Sequence, residues 1–261
     1  MPVVLSQSWE GALISAVGAK MSAVKARGWQ QTAGRLVFKH RRAHHHLHYF
    51  AGLYRQMLEA VRSSIPTRQS QEPVSSGYAG PLLEELYFNL DGFFEAVRAT
   101  HDASLSCLGS AELLLHPPSS LHDFFKKRDA KSNDSGTVAP IVKGMLLDFW
   151  RTTGSVAKDY RDCLSHYVSL SGPTWQHGAN ARWAHGQWTM TIELPDNPTA
   201  RTYGALTFNS RLDAFILCQR IHRETDALIR AVLGKIAEQW QLDSISSRPS
   251  EMTVTNVLIG E

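Results

Sequence analysis

The chain has 261 residues, of which 43% are hydrophobic and 20% are charged, and its formal net charge at neutral pH is +3. This balance is ordinary for a globular protein and argues against disorder throughout the chain. The small positive excess permits binding to nucleic acid but does not by itself indicate it, because local basic clusters matter more than the total. The 3 cysteines are widely spaced and form no CxxC pair, which argues against a disulfide framework and a thiolate zinc site.

The N-terminal stretch and the hydropathy of the chain bear on its location. No basic residues precede the first apolar ones, so we expect no secretory signal peptide. No uninterrupted apolar run reaches the roughly 20 residues that a membrane helix needs. We therefore expect a cytoplasmic protein with reduced thiols and no membrane partner.

Two polar stretches in the first half of the chain predict flexible connections. They span residues 62–80 and 128–137 and are rich in Ser, Gln, Pro, Gly or charged residues. The apolar period before the first stretch predicts a helix over about 30–62. After it, Pro81 suits the first turn of a helix, and apolar residues at i, i+4 spacing continue to Val97.

The second half of the chain predicts helices around a small β element. An apolar stripe over residues 142–167 predicts another long helix. Strict alternation over 188–194 predicts a strand, whose expected partner lies at 203–208, so the predicted hairpin spans 181–208. The last helix is expected over about 211–240.

These elements predict one mainly α domain over residues 1–261, with a small antiparallel β-hairpin near the C-terminus. A two-stranded hairpin is not stable alone, so it must pack on the helices. This requirement favours a single α-rich domain over two separate ones. The last helix would begin at a capping pair formed by Ser210 and Asp213 and would close the domain.

One short segment of the second apolar stripe suggests chemistry. Arg161 and His166 follow an R-x4-H pattern, and Asp162 directly follows the arginine. Imidazole can move a proton near neutral pH, and guanidinium can bind phosphate oxygens without losing its charge. Asp162 and His166 share a helix face, so the carboxylate could orient the ring. On an ideal helix Arg161 lies about 140° from His166, so convergence needs the arginine's length, a distorted helix end or a second subunit.

At these residues the chain resembles the HEPN superfamily of helical-bundle proteins. The family motif is R-x4-6-H, often with a polar residue after the arginine, and here Arg161, Asp162 and His166 match it over a helical core at about 81–170. The resemblance implies a homodimer whose two motifs share one cleft, and metal-independent endoribonuclease activity without a cofactor. It also implies a place among toxin–antitoxin, CRISPR or phage-defence proteins, with an antitoxin or another protein as partner.

Two other interpretations of the same residues remain open. Arg161, Asp162 and His166 also fit a solvated helix face, because R-x4-H spacing recurs at Arg35/His40 and at Arg41/His46. The alternative function is a non-catalytic helical module that uses these surfaces to bind a partner protein.

Basic and histidine clusters provide further candidate residues. The predicted RNA-contacting residues, chosen for local positive charge, are Lys39, Arg41, Arg42, Lys126 and Lys127. His40, His44 and His48 recur at i, i+4, i+8 and are weak candidates for a metal site, since no carboxylate lies within their run. A polar helix face explains them as well.

Overall fold

The computed structural model describes residues 9–64, 74–78, 80–114, 118–129, 140–167, 179–185 and 187–242. The fold in these ranges is mainly α with a small antiparallel sheet, which confirms the predicted fold class. In chain order the helices and strands are α1 (Trp9–Ala19), α2 (Ala23–Ser64), β1 (Val74–Tyr78), α3 (Pro81–Ser110), α4 (Leu121–Asp129), α5 (Pro140–Phe149), α6 (Ser155–Asp162), β2 (Ala179–Ala184), β3 (Gln187–Leu194), β4 (Leu212–Asp213) and α7 (Ala214–Gln239).

The long helices follow the predicted apolar periods. Helix α3 begins at Pro81 as expected, and α2 extends beyond the predicted helix at both ends. After α3, the Leu113 amide donates to the Leu108 carbonyl, and Glu112 between them has a left-handed φ of 64°. This arrangement satisfies carbonyls that the helix end would otherwise leave open. Among the described helices, none is both long and apolar enough to cross a membrane.

The second predicted helical stripe is not a uniform α-helix. Two π-helical segments, Trp150–Gly154 and Cys163–Tyr167, flank α6. In the first, a Cβ atom on Gly154 would lie 2.9 Å from Cε3 of Trp150, so the glycine makes room for this ring. Hydrogen bonds of the i→i+5 type occur mostly as single turns within helices, frequently at functional sites.

The β-sheet differs from its prediction in partner and extent. Its order is β1-β2-β3-β4 with antiparallel neighbours, so β3 pairs with the preceding strand β2 rather than with residues 203–208. Only two residues separate β2 from β3, and the first, His185, has a positive φ of 52°, which suits a tight hairpin turn. The predicted hairpin span of 181–208 is therefore wrong, and the hairpin spans 179–194.

Two neighbouring predictions also change. Residues 203–205 form a short 3₁₀ turn, in a loop where the Asp196 carboxylate accepts hydrogen bonds from the Asn209 and Ser210 amides. Part of the predicted flexible connection at 62–80 is strand β1, which pairs with β2. Asp213 caps α7, because its Oδ1 accepts a hydrogen bond from the Ile216 amide at 2.9 Å. The other member of the predicted capping pair, Ser210, instead donates its hydroxyl hydrogen to Asp196.

The chain divides into two compact units, whose boundaries fall inside helices. The first comprises Met1–Arg41, Val97–Ser155 and Glu224–Glu261, and the second comprises Arg42–Ala96 and Val156–Arg223. Large side chains with less than 2% exposure in the first unit include Trp29, Leu36, Leu105 and Leu108. Those in the second unit include Phe50, Leu86, Phe93 and Phe94. The single domain over 1–261 stays a prediction.

Candidate functional site

The predicted site lies at the end of α6 and in the π-helical segment that follows it. Arg161 and Asp162 are the last residues of α6, and the backbone of His166 belongs to the segment Cys163–Tyr167. The side chain of His166 lies outside the described part of the chain. A π-helical turn holds more residues than an α-helical turn, so the angle between backbone positions 161 and 166 is smaller than on an ideal α-helix. This helix end is therefore distorted, which is one of the three ways in which Arg161 and His166 were expected to converge.

The guanidinium group of Arg161 is bound by two carboxylates. Its Nε and Nη2 atoms each lie 2.7 Å from Oε1 of Glu95 on α3, and Nη1 lies 3.0 Å from Oδ1 of Asp162. Burial acts to lower the pKa of Arg161, but the hydrogen bonds and charges of Glu95 and Asp162 raise it above its ordinary value. The arginine is thus a fixed cation, with 20% of its side chain exposed.

The described contacts of Asp162 are made with cations. Its Oδ2 accepts from Nζ of Lys158 at 2.7 Å, one helical turn earlier, and its Oδ1 accepts from Arg161. Asp162 therefore helps to orient the arginine. Its predicted role in orienting His166 involves a side chain outside the described residues and stays a prediction.

Helix α3 contributes a second carboxylate to the same surface. Asp91 accepts a hydrogen bond from the Ser165 hydroxyl at 3.0 Å, one turn of α3 before Glu95. Neither Glu95 nor Asp91 was predicted as a site residue, because both are far from Arg161 in the chain. The sequence signal for them was their i, i+4 spacing, which places both carboxylates on one face of α3.

A buried tyrosine anchors α6 beside the site. The hydroxyl of Tyr160 donates to the Pro195 carbonyl at 2.6 Å, and its ring stacks on Phe94 with 5.7 Å between centroids. Burial, followed by the charge of Asp196, raises the pKa of Tyr160. Burial also raises the pKa of the neighbouring Cys163 thiol to about 11, so this thiol is not a nucleophile near neutral pH. The candidate site therefore lies directly beside the buried side chain of Tyr160, whose contacts hold α6 in place.

The predicted RNA-contacting residues are mostly accessible. Arg41, Arg42 and Lys126 are exposed, and Lys39 is half-buried. The side chain of Lys127 lies outside the described residues. Of these, Arg42 makes a contact of interest, because its Nε lies 3.4 Å from Nε2 of His46.

The predicted histidine row occupies a single helix, as its spacing requires, but the three side chains have different surroundings. His40 is 8% exposed, with Nε2 3.6 Å from Oδ1 of Asp226. The His44 ring lies 5.2 Å from that of His222 and 6.4 Å from that of His48. Within the described ranges, no group of three or more His, Cys, Asp or Glu residues could hold a metal ion. The metal interpretation therefore gains no support from this part of the chain.

Comparison with known proteins does not assign the chain to a class. No model of a known protein family matches it, and no curated protein or solved structure is significantly similar to it. The fold and site define a mainly α protein in which a fixed arginine, held by carboxylates from two helices, precedes a π-helical turn.

Proposed function

We propose that this chain is a HEPN-like, metal-independent endoribonuclease whose centre contains Arg161, Asp162 and His166. The observation that carries the proposal is the π-helical segment at Cys163–Tyr167, which begins two residues after Arg161. It reduces the angle between the two motif positions, which an α-helix would hold apart. The proposal places the protein in the cytoplasm as a homodimer, in a toxin or phage-defence role with a protein partner.

The proposed chemistry needs a cation for the phosphate and a group that moves a proton. Arg161 retains its charge and has a rigid fork of donors, which suits the two free oxygens of a phosphodiester. His166 would transfer or orient the proton of the 2′-hydroxyl or of the leaving 5′-oxygen. Glu95 and Asp162 hold the guanidinium in place, so a bound phosphate would compete with these carboxylates for the guanidinium.

The substrate itself provides the first test. Purified protein should cleave RNA in the presence of EDTA, and it should not cleave the same sequence with 2′-O-methyl riboses, because the attacking hydroxyl is then absent. His166→Ala protein that remains folded should be inactive on both. Cleavage abolished by EDTA would contradict the proposal, and so would equal cleavage of RNA and its 2′-O-methyl form.

The second candidate is a non-catalytic module that binds a partner protein. It is favoured by the carboxylates of Glu95 and Asp162, which already bind three of the five N–H donors of Arg161. Exposed apolar side chains on the second unit, such as Phe88 at 64% and Ile216 at 65%, also suit a protein contact. Absence of RNA cleavage at every protein concentration, together with unchanged partner binding by His166→Ala, would support the module.

A further inference from the structure

The side chain of His46, on α2, lies against α3, where its hydrogen bonds determine its tautomer. Nδ1 of His46 lies 2.8 Å from Oδ1 of Asn89, and Nδ2 of Asn89 donates to the His46 carbonyl at 2.7 Å. Because the amide nitrogen is the donor in the second bond, Oδ1 is an acceptor, and Nδ1 of His46 must carry the hydrogen. The Nε2 atom of this tautomer is therefore an acceptor.

The position of this ring depends on a glycine in α3. A Cβ atom at Gly92 would lie 2.6 Å from Cε1 of His46 and 3.0 Å from Nε2. Any other residue at position 92 would therefore displace the ring. Asn89, which holds the ring, is only 7% exposed, so the support is part of the helix–helix packing.

A cation lies beside the acceptor nitrogen. Arg42 is one turn before His46 on α2, its side chain is exposed, and its Nε lies 3.4 Å from Nε2 of His46. This separation is long for a hydrogen bond, so the contact is weak and open to replacement. An exposed arginine beside this ring is suited to a phosphate group, to which its guanidinium can donate.

Exposed aromatic rings continue the same surface. The rings of His45 and Tyr49 are nearly parallel, at 11° and 6.5 Å between centroids. The Tyr49 hydroxyl donates to Glu85 on α3, and Phe88, on the next turn of α3, is 64% exposed. Unpaired bases stack on such rings, whereas bases in a duplex stack on one another and are not accessible.

We propose that this surface, formed by Arg42, His45, His46, Tyr49 and Phe88, binds single-stranded RNA. Arg42, which lies against His46, holds a backbone phosphate, and the aromatic rings stack with the adjacent bases. The inference rests on the proposed function in taking RNA as the ligand, and it adds that the RNA is unpaired where it binds.

Helix α3 connects this surface to the candidate catalytic site. Phe88 and Glu95 are seven residues apart, so they lie on one face of α3 with about 10 Å between them along the helix axis. Glu95 holds Arg161. A strand that stacks on Phe88 and follows this face of α3 therefore reaches Arg161 within a few nucleotides.

The experiment measures the binding of a fluorescent 2′-O-methyl oligouridine of about ten nucleotides, which the proposed chemistry cannot cleave. Arg42→Gln should weaken binding by about tenfold and reduce the dependence on salt by about one phosphate contact. Tyr49→Ala should weaken it by about tenfold, whereas Tyr49→Phe, which keeps the ring, should bind like the wild type. Glu85→Gln should strengthen binding, because it removes a negative charge beside the strand.

Each outcome separates this inference from the proposed function. Unchanged affinity in folded Arg42→Gln and Tyr49→Ala proteins, or no binding by the wild type, would overturn the inference even if Arg161 and His166 prove catalytic. Tighter binding of a duplex than of the single strand would also overturn it. Weakened binding in both variants, alongside a wild type that cleaves no RNA, would support the inference and reject the catalytic proposal.

Discussion

Arg161 and Glu95 form a side-on ion pair, in which Nε and Nη2 of the arginine each lie 2.7 Å from the same oxygen of the carboxylate. The pair joins α6 to α3 and fixes the direction of the guanidinium. If Arg161 binds a phosphate, Glu95 both positions the arginine and competes with the ligand. The balance between these two effects can be measured.

Glu95→Gln is expected to strengthen RNA binding. The amide oxygen of glutamine still accepts from the guanidinium, so the arginine stays in place, while the competing negative charge is lost. We expect a dissociation constant up to about tenfold lower, equivalent to about 1.4 kcal/mol. Fluorescence anisotropy with 2′-O-methyl RNA measures it. An affinity that falls in Glu95→Gln, or does not change, would argue against Arg161 as the phosphate ligand.

Tyr160→Phe is expected to destabilise the protein. The variant keeps the ring stacked on Phe94 but leaves the Pro195 carbonyl without the donor that lies 2.6 Å from it. Loss of a buried hydrogen bond of this kind costs about 1–2 kcal/mol in the free energy of unfolding. Urea unfolding measures the loss. The control is Tyr49→Phe, whose exposed hydroxyl should contribute much less, and an equal loss in both variants would contradict the prediction.

His101 is expected to make stability depend on pH. Burial, and secondarily the charge of Arg98, lowers its pKa to about 3, from about 6.5 in an unfolded chain. The folded state therefore favours the neutral ring, whose Nε2 lies 3.0 Å from the Thr225 hydroxyl oxygen. Its contribution is fully present above about pH 6.5 and is lost as the pH falls toward 3, by up to about 1.4 kcal/mol per pH unit.

The matched variant for this prediction is His101→Gln, which stays neutral. Urea unfolding at a series of pH values from about 7 to about 4 should give a smaller decline for the variant than for the wild type. Parallel declines would mean that His101 does not cause the pH dependence.

Gln241→Gly is expected to stabilise the end of α7. Gln241 has a φ of 53°, and the next amide, of Leu242, donates to the Ala237 carbonyl at 3.0 Å. Glycine adopts this left-handed conformation without a Cβ clash, so we expect a gain of about 0.5–1 kcal/mol in thermal or chemical unfolding. Gln241→Ala, which keeps the Cβ atom, should give no gain. Equal stabilisation by both substitutions would show that backbone conformation is not the cause.

Local patterns in the sequence predicted the helices well and the sheet poorly. The period of apolar residues gave the start of α3 and both ends of α7 to within three residues, because these helices bury a continuous face. It missed the first seven residues of α2 and the part of α3 beyond Val97. Strand β1 lies in a Ser-rich stretch and gains its partner from β2, with Val74 opposite Trp183. No local signal indicates a pairing between segments so far apart in the chain.

The candidate site shows the same limit. Spacing identified Arg161 and Asp162, but the contact between Arg161 and Glu95 depends on the packing of α6 against α3. The tautomer of His46 likewise depends on Asn89, which is 43 residues away. Both contacts are made by side chains on neighbouring helices. The apolar period within one helix does not predict them.

The central claim is tested most directly by the initial rate of RNA cleavage in EDTA, for wild-type protein beside Arg161→Ala and His166→Ala. Exposed Arg201 provides the control variant, Arg201→Ala. We predict that the two motif variants remain folded and lose at least about a hundredfold in rate, as expected when a proton-transfer group or a phosphate ligand is removed, while Arg201→Ala keeps the wild-type rate. Equal rates in all four proteins, or no cleavage by the wild type, would contradict a ribonuclease centre at Arg161 and His166.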